Sequence, residues 1–508
     1  MIILTARQAA AVDRYTIDEM GVPGMVLMET AGRACVRVLQ ERWPDRWRNA
    51  TIYCGPGNNG GDGYVIARVL RLRGGNPRVV TLGDPGRLKG DAAASYALLQ
   101  KLDTTEAGKP GLIVDALFGT GLDRPLNAEA AALVQEMNEA GLPILAVDIP
   151  SGVNGTCGAL VGPVAVKADA TVTMGFLKGG LVLYPGAARC GDLYVAEIGF
   201  PSSVAEREGD GVELTEPGRV ACLLSPRPAQ AHKGTSGRVT LVAGSRGMTG
   251  AGMLSTRAAL RTGGGLVHLA IAASLQAQVA PQLWEALTDA IPDEGNGWLG
   301  ESAIPALDAA LADARGVGMG PGLGRREETL RVVRHLLETS TAPLVLDADG
   351  LLALPDAKRD REIVVTPHPG EMSRLLGKPI EEILGDPIGS ARACAARFNV
   401  VALLKGAHTI IAAPDGRVRV NFTGNPGMAS GGMGDVLTGI IATLLAEGLA
   451  PFDAAAVGAF VHGRAADLHV AAHGERGLLA RDVAEALPDA IRDVQQNWAR
   501  IPFPKADF

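Results

Sequence analysis

Aromatic residues are scarce in this chain: nine Phe, six Tyr and five Trp make up 4% of 508 residues. Cores with so few rings must be filled by Ala, Val, Leu and Ile, which suits parallel sheets covered by helices. Cysteine is sparse too. Cys35, Cys54, Cys157, Cys190, Cys222 and Cys394 are scattered without a C-x-x-C pair, which excludes a zinc pattern or a disulfide framework and reads as reduced cytoplasmic thiols. No uninterrupted apolar run reaches about 18 residues, so no membrane span is expected. No basic leader with an apolar stretch opens the chain. Positive charge is not in excess: 48 Lys and Arg face 55 Asp and Glu, a formal net charge of -7, which argues against a nucleic-acid partner. The sequence also lacks G-x-x-x-x-G-K-[S/T], H-R-D and D-F-G, so it carries neither a P-loop nor a protein-kinase active site.

Glycine, by contrast, is abundant, with 66 residues. Two glycine-rich loops stand out, one in each half. Gly55-Pro56-Gly57-Asn58-Asn59-Gly60-Gly61-Asp62-Gly63 follows a strand-like run and opens a helical one. Gly431-Gly432-Met433-Gly434-Asp435 runs into an apolar helix start. Backbone N–H groups converge at such places and attract anions, so two sites for phosphorylated small molecules are expected.

The length predicts two or more domains. The first half alternates strands at 50–54, 78–82, 112–115, 144–148, 170–174 and 192–196 with helices at 61–73 and 128–139, the grammar of a doubly wound sheet. Polar residues at 201–218 read as a linker. The second half places strands at 238–243, 266–270, 316–319, 344–347, 363–366, 400–405 and 409–413, with helices at 250–262, 327–337 and 435–447. The domains are accordingly set at 1–213, a Rossmann-like α/β unit, and 220–508, a second α/β unit.

In the first half, Asn58, Asn59 and Asp62 sit in the turn after the first strand. Asp115 and Asp148 close apolar strands, where doubly wound sheets bind ligands. Each also has a plain alternative as a turn-capping residue. Asn59, Asp115 and Ser151 together offer hard oxygen ligands to a cation. Asp148 is then left for proton transfer. In the second half the N–H groups of Gly432, Met433 and Gly434 can surround a phosphoryl group, with Asp435 placed to take a proton from an attacking hydroxyl. Lys405-Gly406-Ala407-His408-Thr409 forms a tight turn with polar groups for a nucleotide. Gly320-Pro321-Gly322-Leu323-Gly324, Asp347-Ala348-Asp349-Gly350 and Thr366-Pro367-His368-Pro369-Gly370-Glu371 each follow a strand.

These residues carry a resemblance. Gly-Pro-Gly-Asn-Asn-Gly-Gly-Asp-Gly, Val-Asp-Ala-Leu-Phe-Gly-Thr-Gly and Asp-Ile-Pro-Ser-Gly resemble the NAD(P)H-hydrate epimerase family. Lys-Gly-Thr-Ser-Gly (from Lys233), Gly-Pro-Gly-Leu-Gly, Thr-Pro-His-Pro-Gly-Glu, Lys-Gly-Ala-His-Thr and Gly-Gly-Met-Gly-Asp-Val-Leu-Thr-Gly resemble the ADP-dependent NAD(P)H-hydrate dehydratase family, whose fold is ribokinase-like. The ordered set resembles the bifunctional nicotinamide-nucleotide repair family along nearly the whole chain. The resemblance implies that Asn58, Asn59, Gly60, Gly61 and Asp62, then Gly119, Thr120, Gly121, Leu122, Asp123, Arg124 and Pro125, and Asp148, contact the hydrated nucleotide in the epimerase. It implies potassium on Asn59, Asp115 and Ser151. In the dehydratase it places Ala251, Gly322, His368 and Asp435 on the hydrated substrate, and Lys405, Gly406, Ala407, His408, Thr409 and Gly434 on the adenine nucleotide, which brings Mg2+ with ADP. Met433 stands where Thr is more usual in this motif.

The implied substrates are NADHX and NADPHX, hydrated at C6 of the nicotinamide ring, together with ADP. Asp435 is the expected base for phosphorylation of the C6 hydroxyl and Asp148 the expected acid/base of epimerisation. A homo-oligomer is expected, of an order the sequence does not set. The rival readings are a sugar or vitamin kinase with an accessory nucleotide-binding domain, an oxidoreductase using Gly55-x-Gly57-x-x-Gly60 as a dinucleotide-binding fingerprint, and a non-catalytic nucleotide sensor.

Overall fold

A computed structural model describes the chain except residues 104–107, 225, 228, 231, 233–236, 359–360 and 507–508. Lys233, Gly234, Thr235 and Ser236 of the Lys-Gly-Thr-Ser-Gly run thus lie outside the described residues. The chain divides into two compact units, Met1–Glu213 with the tail from Pro502, and Leu214–Ile501.

The first unit contains β1 (Ile3–Leu4), β2 (Ala50–Cys54), β3 (Arg78–Thr81), β4 (Leu112–Ala116), β5 (Ile144–Val147), β6 (Ala170–Met174), β7 (Leu177–Lys178) and β8 (Asp192–Ala196). Six of them form a parallel sheet in the order β3-β2-β4-β5-β6-β8, while β1 pairs with β7. Strands β2, β4, β5 and β6 are buried along their whole length, as expected for strands covered on both faces. Alternate residues serve opposite layers. Ile52 and Cys54 join the core beneath helices Gly24–Arg42 and Asn58–Leu72, and Tyr53 joins the core with Val134 and Met137 of helix Ala128–Glu139. The strand order reverses between β2 and β4, so the loops leaving their carboxyl ends flank a crevice.

The helix expected at 61–73 begins at Asn58, so Asn58, Asn59 and Asp62 lie in its first turns rather than in the preceding turn. Gly60 makes this possible: a Cβ there would come 1.9 Å from the Gly55 carbonyl oxygen. The expected linker at 201–218 is also corrected. Helix Ser202–Glu208 buries Val204 and Ala205 against Leu4 and Val12, an apolar stripe hidden among charges. Strand β9 (Val212–Leu214) follows it.

The second unit continues with β10 (Arg238–Val242), β11 (Leu266–Ala272), β12 (Leu287–Ile291), β13 (Gly316–Met319), β14 (Leu344–Leu346), β15 (Val364–Val365), β16 (Val401–Leu404), β17 (Thr409–Ala412) and β18 (Val418–Asn421). The sheet order is β12-β11-β10-β13-β14-β15-β16-β17-β18-β9. It is parallel from β12 to β16 and antiparallel from β16 to β18. Its order reverses between β10 and β13, where the Gly244 N–H donates to the Pro321 carbonyl (2.8 Å). Helix Met433–Ala446 is buried over most of its length and crosses helix Thr249–Thr262 closely. At the crossing, a Cβ on Gly439 would fall 2.1 Å from the Ser255 carbonyl oxygen. That contact aims the start of helix Met433–Ala446 at the carboxyl ends of the strands.

The tail from Pro502 covers the open edge of the first sheet. Lys505 N–H donates to the Leu193 carbonyl (3.0 Å), Val195 N–H donates to the Lys505 carbonyl (2.7 Å), and the Lys505 ammonium lies 5.0 Å from the Tyr194 ring centroid. A chain truncated before Pro502 is expected to lose hydrogen-exchange protection at the Val195 amide and about 1–3 kcal/mol of first-unit stability. Unchanged protection at Val195 would contradict this role for the tail.

Candidate active sites

The first unit holds a cavity of about 740 Å³ at its switch point, lined by residues of 56–59, Asp62, 117–124, Asp148 and Lys178. Asp148 follows β5 in a left-handed backbone conformation (φ 67°), which turns its side chain back over the strand ends. Its Oδ1 accepts hydrogen bonds from Lys178 Nζ (2.8 Å) and Thr173 Oγ1 (3.3 Å), and its Oδ2 accepts one from the Thr120 N–H (3.0 Å). Lys178 Nζ also donates to Thr173 Oγ1 (2.9 Å) and the Met174 carbonyl (2.8 Å), so its three N–H bonds are all used. Burial pushes the Asp148 carboxyl up, but the Lys178 ammonium and these hydrogen bonds outweigh it and hold the group below the usual carboxylate range. Asp62 behaves oppositely. Burial, then the carboxyl groups of Asp148 and Asp13, push it well above that range.

Behind this cavity Asp115 and Ser151 are fully buried. Ser151 donates its N–H to Asp115 Oδ2 (2.8 Å) and its hydroxyl to Asp115 Oδ1 (2.7 Å), while Ser151 Oγ accepts the Phe118 N–H (3.0 Å). Asn59 reaches the same loop from the other side: its Oδ1 would lie 3.2 Å from a Cβ on Gly119, and its buried Nδ2 has no hydrogen-bond partner among the described residues. Asp115 pairs with no cationic side chain among the described residues. Burial raises it to about 6 against the hydrogen bonds from Ser151 and Leu117.

The second unit repeats the arrangement with other residues. Asp347, just after β14, is buried, and its Oδ1 accepts a hydrogen bond from Lys405 Nζ (2.7 Å), just after β16. Thr438 Oγ1 donates to Asp347 Oδ2 (3.2 Å), and Lys405 Nζ lies 3.8 Å from Glu371 Oε2. Burial would raise Asp347, but the Lys405 ammonium and hydrogen bonds from Lys405, Thr366 and Ala348 hold it low. Gly434 sits close against the pair: a Cβ there would lie 3.0 Å from Asp347 Oδ2 and 3.2 Å from Lys405 Nζ, so a side chain would press on both. Gly432 caps helix Met433–Ala446 with φ +90°, so the N–H groups of its first turn point into the site. Asp435, in that first turn, is pushed up to about 6 by burial and by Asp347, against the pull of Lys405.

Helix Thr249–Thr262 ties the loops together, with Ala251 against Gly322 and Leu254 against Gly432. His368 is the N-cap of helix Pro369–Leu376; its Nδ1 accepts the Gly370 N–H (3.0 Å), and its Nε2 lies 3.5 Å from Glu371 Oε1. The Lys405 ammonium turns inward to Asp347 and Glu371, away from the exposed hairpin residues Gly406 and Ala407.

Comparison with known proteins matches both halves. Residues 24–180 match the family described as YjeF-related protein N-terminus, and residues 239–489 match that described as NAD(P)H-hydrate dehydratase. A bifunctional NAD(P)H-hydrate repair enzyme from Moorella thermoacetica is 39% identical over 527 residues, covering 99% of this chain and 98% of the relative. One from Escherichia coli is 37% identical over 485 residues, covering 94% and 91%. This chain belongs to the bifunctional NAD(P)H-hydrate repair family. Among solved structures, the ADP/ATP-dependent NAD(P)H-hydrate dehydratase of Bacillus subtilis, co-crystallised with ATP and Mg2+, superposes with a TM-score of 0.50 at 34% identity, covering 56% of this chain and 99% of that one. A ribokinase-like protein of Enterococcus faecalis matches at TM-score 0.50 and 26% identity, covering 56% and 97%. The fold of this member is thus mixed α/β with a ribokinase-like second unit.

Within this family member, Asn58, Asn59, Asp62, Gly119, Thr120, Gly121, Leu122, Asp123, Arg124 and Asp148 line one cavity. Gly60, Gly61 and Pro125 do not: Gly60 abuts Gly55, Gly61 abuts Met28, and Pro125 lies beside Gly162. Lys178, Asp13, Glu371 and Asp347 have specific places that the motif reading leaves undefined. A single lysine inside the apolar run 177–183 was the available signal for Lys178, since a buried ammonium needs a partner. Asp13, on helix Ala6–Arg14, gave none.

Lys178→Met is expected to cost about 3–5 kcal/mol at neutral pH, because it leaves Asp148 buried and unpaired. The sign with pH follows. In the native chain the depressed Asp148 carboxyl contributes stability above its unfolded pKa, lost as pH falls through the folded value. In the variant that contribution is gone, so the deficit should shrink on acidification. Unfolding of the first unit by denaturant at pH 4 and pH 7 checks this. An equal deficit at both would contradict it.

Proposed function

We propose that the first unit interconverts the R and S forms of NAD(P)HX and that the second dehydrates the S form with ADP. The observation that carries this reading is the second site: a carboxyl tuned to about 6, Asp435, in the first turn of an anion-binding helix beside the buried Asp347–Lys405 pair. A base near neutral pH is matched to deprotonating an alcohol as it attacks a phosphoryl group. Asp435 takes the C6 hydroxyl proton, and the oxygen attacks the terminal phosphoryl group of ADP. The N–H groups at Gly432, Met433 and Gly434 neutralise the charge spreading over the transferred group. Phosphate then departs as the ring nitrogen supplies its electron pair, and loss of a C5 proton restores the double bond. Met433 gives this cradle a backbone N–H and no hydroxyl.

Ala251, Gly322 and His368 would border the hydrated ring, and the turn 405–409 with Gly434 would hold the nucleotide. Mg2+ arriving with ADP would supply neutralisation of the phosphate charge, and the carboxyl groups of Asp347, Asp435 and Glu371 near Lys405 are hard oxygen donors that could meet the ion directly or through its water. In the first unit, Asn59, Asp115 and Ser151 would hold potassium. The fit rests on Asp115, a buried carboxyl without a cationic side-chain partner among the described residues, with the Asn59 amide oxygen beside Gly119 as the second oxygen it would need. Bound there, potassium supplies the charge that keeps Asp115 ionised and the 117–124 loop ordered.

Each activity is assigned to its own unit, with the boundary expected at 1–213 and 220–508 amended so that the tail from Pro502 goes with the first unit. This reading also takes the working form to be a cytoplasmic homo-oligomer. Exposed Trp284 and Leu287 beside the open edge strand β12 support self-association. No helix among the described residues is long and apolar enough to cross a membrane.

Asp435→Asn is expected to lower ADP-dependent dehydration by roughly 10²–10⁴-fold while epimerisation persists. In the unsubstituted chain, kcat/KM for dehydration should fall below pH 6 as Asp435 takes up its proton. Recovery of absorbance at the reduced nicotinamide band measures both. A variant that dehydrates normally, or a profile flat to pH 5, would exclude Asp435 as the base. Asp115→Ala should abolish the rise in first-unit melting temperature that KCl gives over choline chloride; a rise retained in the variant would place the cation elsewhere.

A further inference from the structure

Inverting a carbon that carries a hydroxyl and a ring nitrogen needs one group to accept a proton and another to donate one. Asp148 is suited to acceptance only. Its two oxygens take three hydrogen bonds, and a fully engaged ammonium stands against it. The same cavity holds a second carboxyl group in the opposite situation. Asp62 projects from helix Asn58–Leu72 into the cavity and has no hydrogen-bond partner among the described residues. Two other carboxyl groups, Asp13 and Asp148, line the same cavity. The other charged groups lining the cavity are Asp91, Asp123, Arg124 and Lys178. Lys178 is spent on Asp148, Thr173 and Met174. Two carboxyls whose surroundings separate their protonation states are the arrangement that assigns acid and base.

We infer that Asp62 is the proton donor of the epimerase site, paired with Asp148 as acceptor. The inference rests on the epimerase reading given above and adds the second group. Asp148 takes the proton of the C6 hydroxyl. The O–H electrons form the C6=O bond, and the C6–N1 bond breaks with its pair going to nitrogen. Asp62 delivers its proton to N1. Rotation about the C5–C6 bond presents the other face of the aldehyde. On reclosure, N1 attacks C6 and returns its proton to Asp62, while the new alkoxide recovers the proton held by Asp148. Atoms and charges return to their starting places, so no oxidant, reductant or further reactant is needed. Burial and the neighbouring carboxyls push Asp62 well above the usual carboxylate range, the direction that favours its carrying the proton.

The test uses the full chain without ADP, so that the second unit is idle, and follows conversion of the purified R form by chromatography. Asp62→Asn should lower kcat by roughly 10²–10⁴-fold with KM little changed, and Asp62→Glu should restore part of it. The unsubstituted chain should lose kcat/KM on the alkaline side as Asp62 ionises, and the residual activity of Asp62→Asn should lack that limb. A carboxyl ¹³C titration of the unsubstituted chain needs no stable variant and should find Asp62 protonated and Asp148 ionised at pH 7. Undiminished kcat in Asp62→Asn, the alkaline limb vanishing in Asp13→Asn instead, or both carboxyls ionised at pH 7 would each overturn the inference. Failure of the unsubstituted chain to convert the R form at all would instead overturn the epimerase reading itself.

Discussion

Each site is organised by one interaction: an aspartate just beyond a buried parallel strand, held ionised by a lysine that is buried in the first unit and half-buried in the second. In the first unit the pair is Asp148 and Lys178 at 2.8 Å; in the second it is Asp347 and Lys405 at 2.7 Å. Parallel sheets end all their strands at one edge, so side chains just past those ends are crowded together away from water. A carboxylate there is costly to desolvate unless a cation meets it with well-aligned hydrogen bonds. Both lysines follow their aspartates in the chain, Lys178 on the short strand β7 and Lys405 at the end of β16. The pairs therefore form only once the strands are in register, which couples the sites to the folding of the sheets.

Burial, and after it the carboxylate of each pair, sets the state of its neighbours: Asp62 is raised beside Asp148, and Asp435 beside Asp347. A permanently ionised carboxylate thus tunes a second one toward proton transfer. The two sites differ in what else they offer. The second presents the open N-terminus of helix Met433–Ala446 with Gly434 packed close to the Asp347–Lys405 pair, which suits a transferred phosphoryl group. The first presents a cavity rich in carboxyl groups, which suits proton exchange on a bound ring.

Much of this was legible in the sequence where the signal is local. Gly55 to Gly63 and Gly431 to Asp435 announce themselves because glycine, asparagine and aspartate clustered between a strand and a helix have few other uses. Asp115 and Asp148 were legible because an aspartate ending an apolar strand is conspicuous. Helix Ala128–Glu139 was legible to the residue because its ends are capped locally, with Asn127 accepting from Ala130 N–H. What was not legible depends on distant contacts. Helix Ser202–Glu208 looks like a linker until Leu4 and Val12 are seen beneath it. The tail from Pro502 looks like an end of the second unit until Lys505 meets Leu193 and Val195. The partner of Asp148 lies 30 residues downstream, a spacing no short motif encodes.

The central claim is that the two sites are chemically separate and work in sequence on a freely diffusing substrate. Mixing two full chains, each disabled at one site, tests it most directly. An Asp148→Asn chain keeps the dehydratase, and an Asp435→Asn chain keeps the epimerase. Given a mixture of both epimers with ADP, the first alone should stop when the S form is exhausted, apart from spontaneous epimerisation, and the second alone should regenerate almost no reduced nucleotide. The two chains together should carry the mixture to completion at an enzyme-dependent rate. A combined sample that performs no better than the Asp148→Asn chain alone would contradict the account.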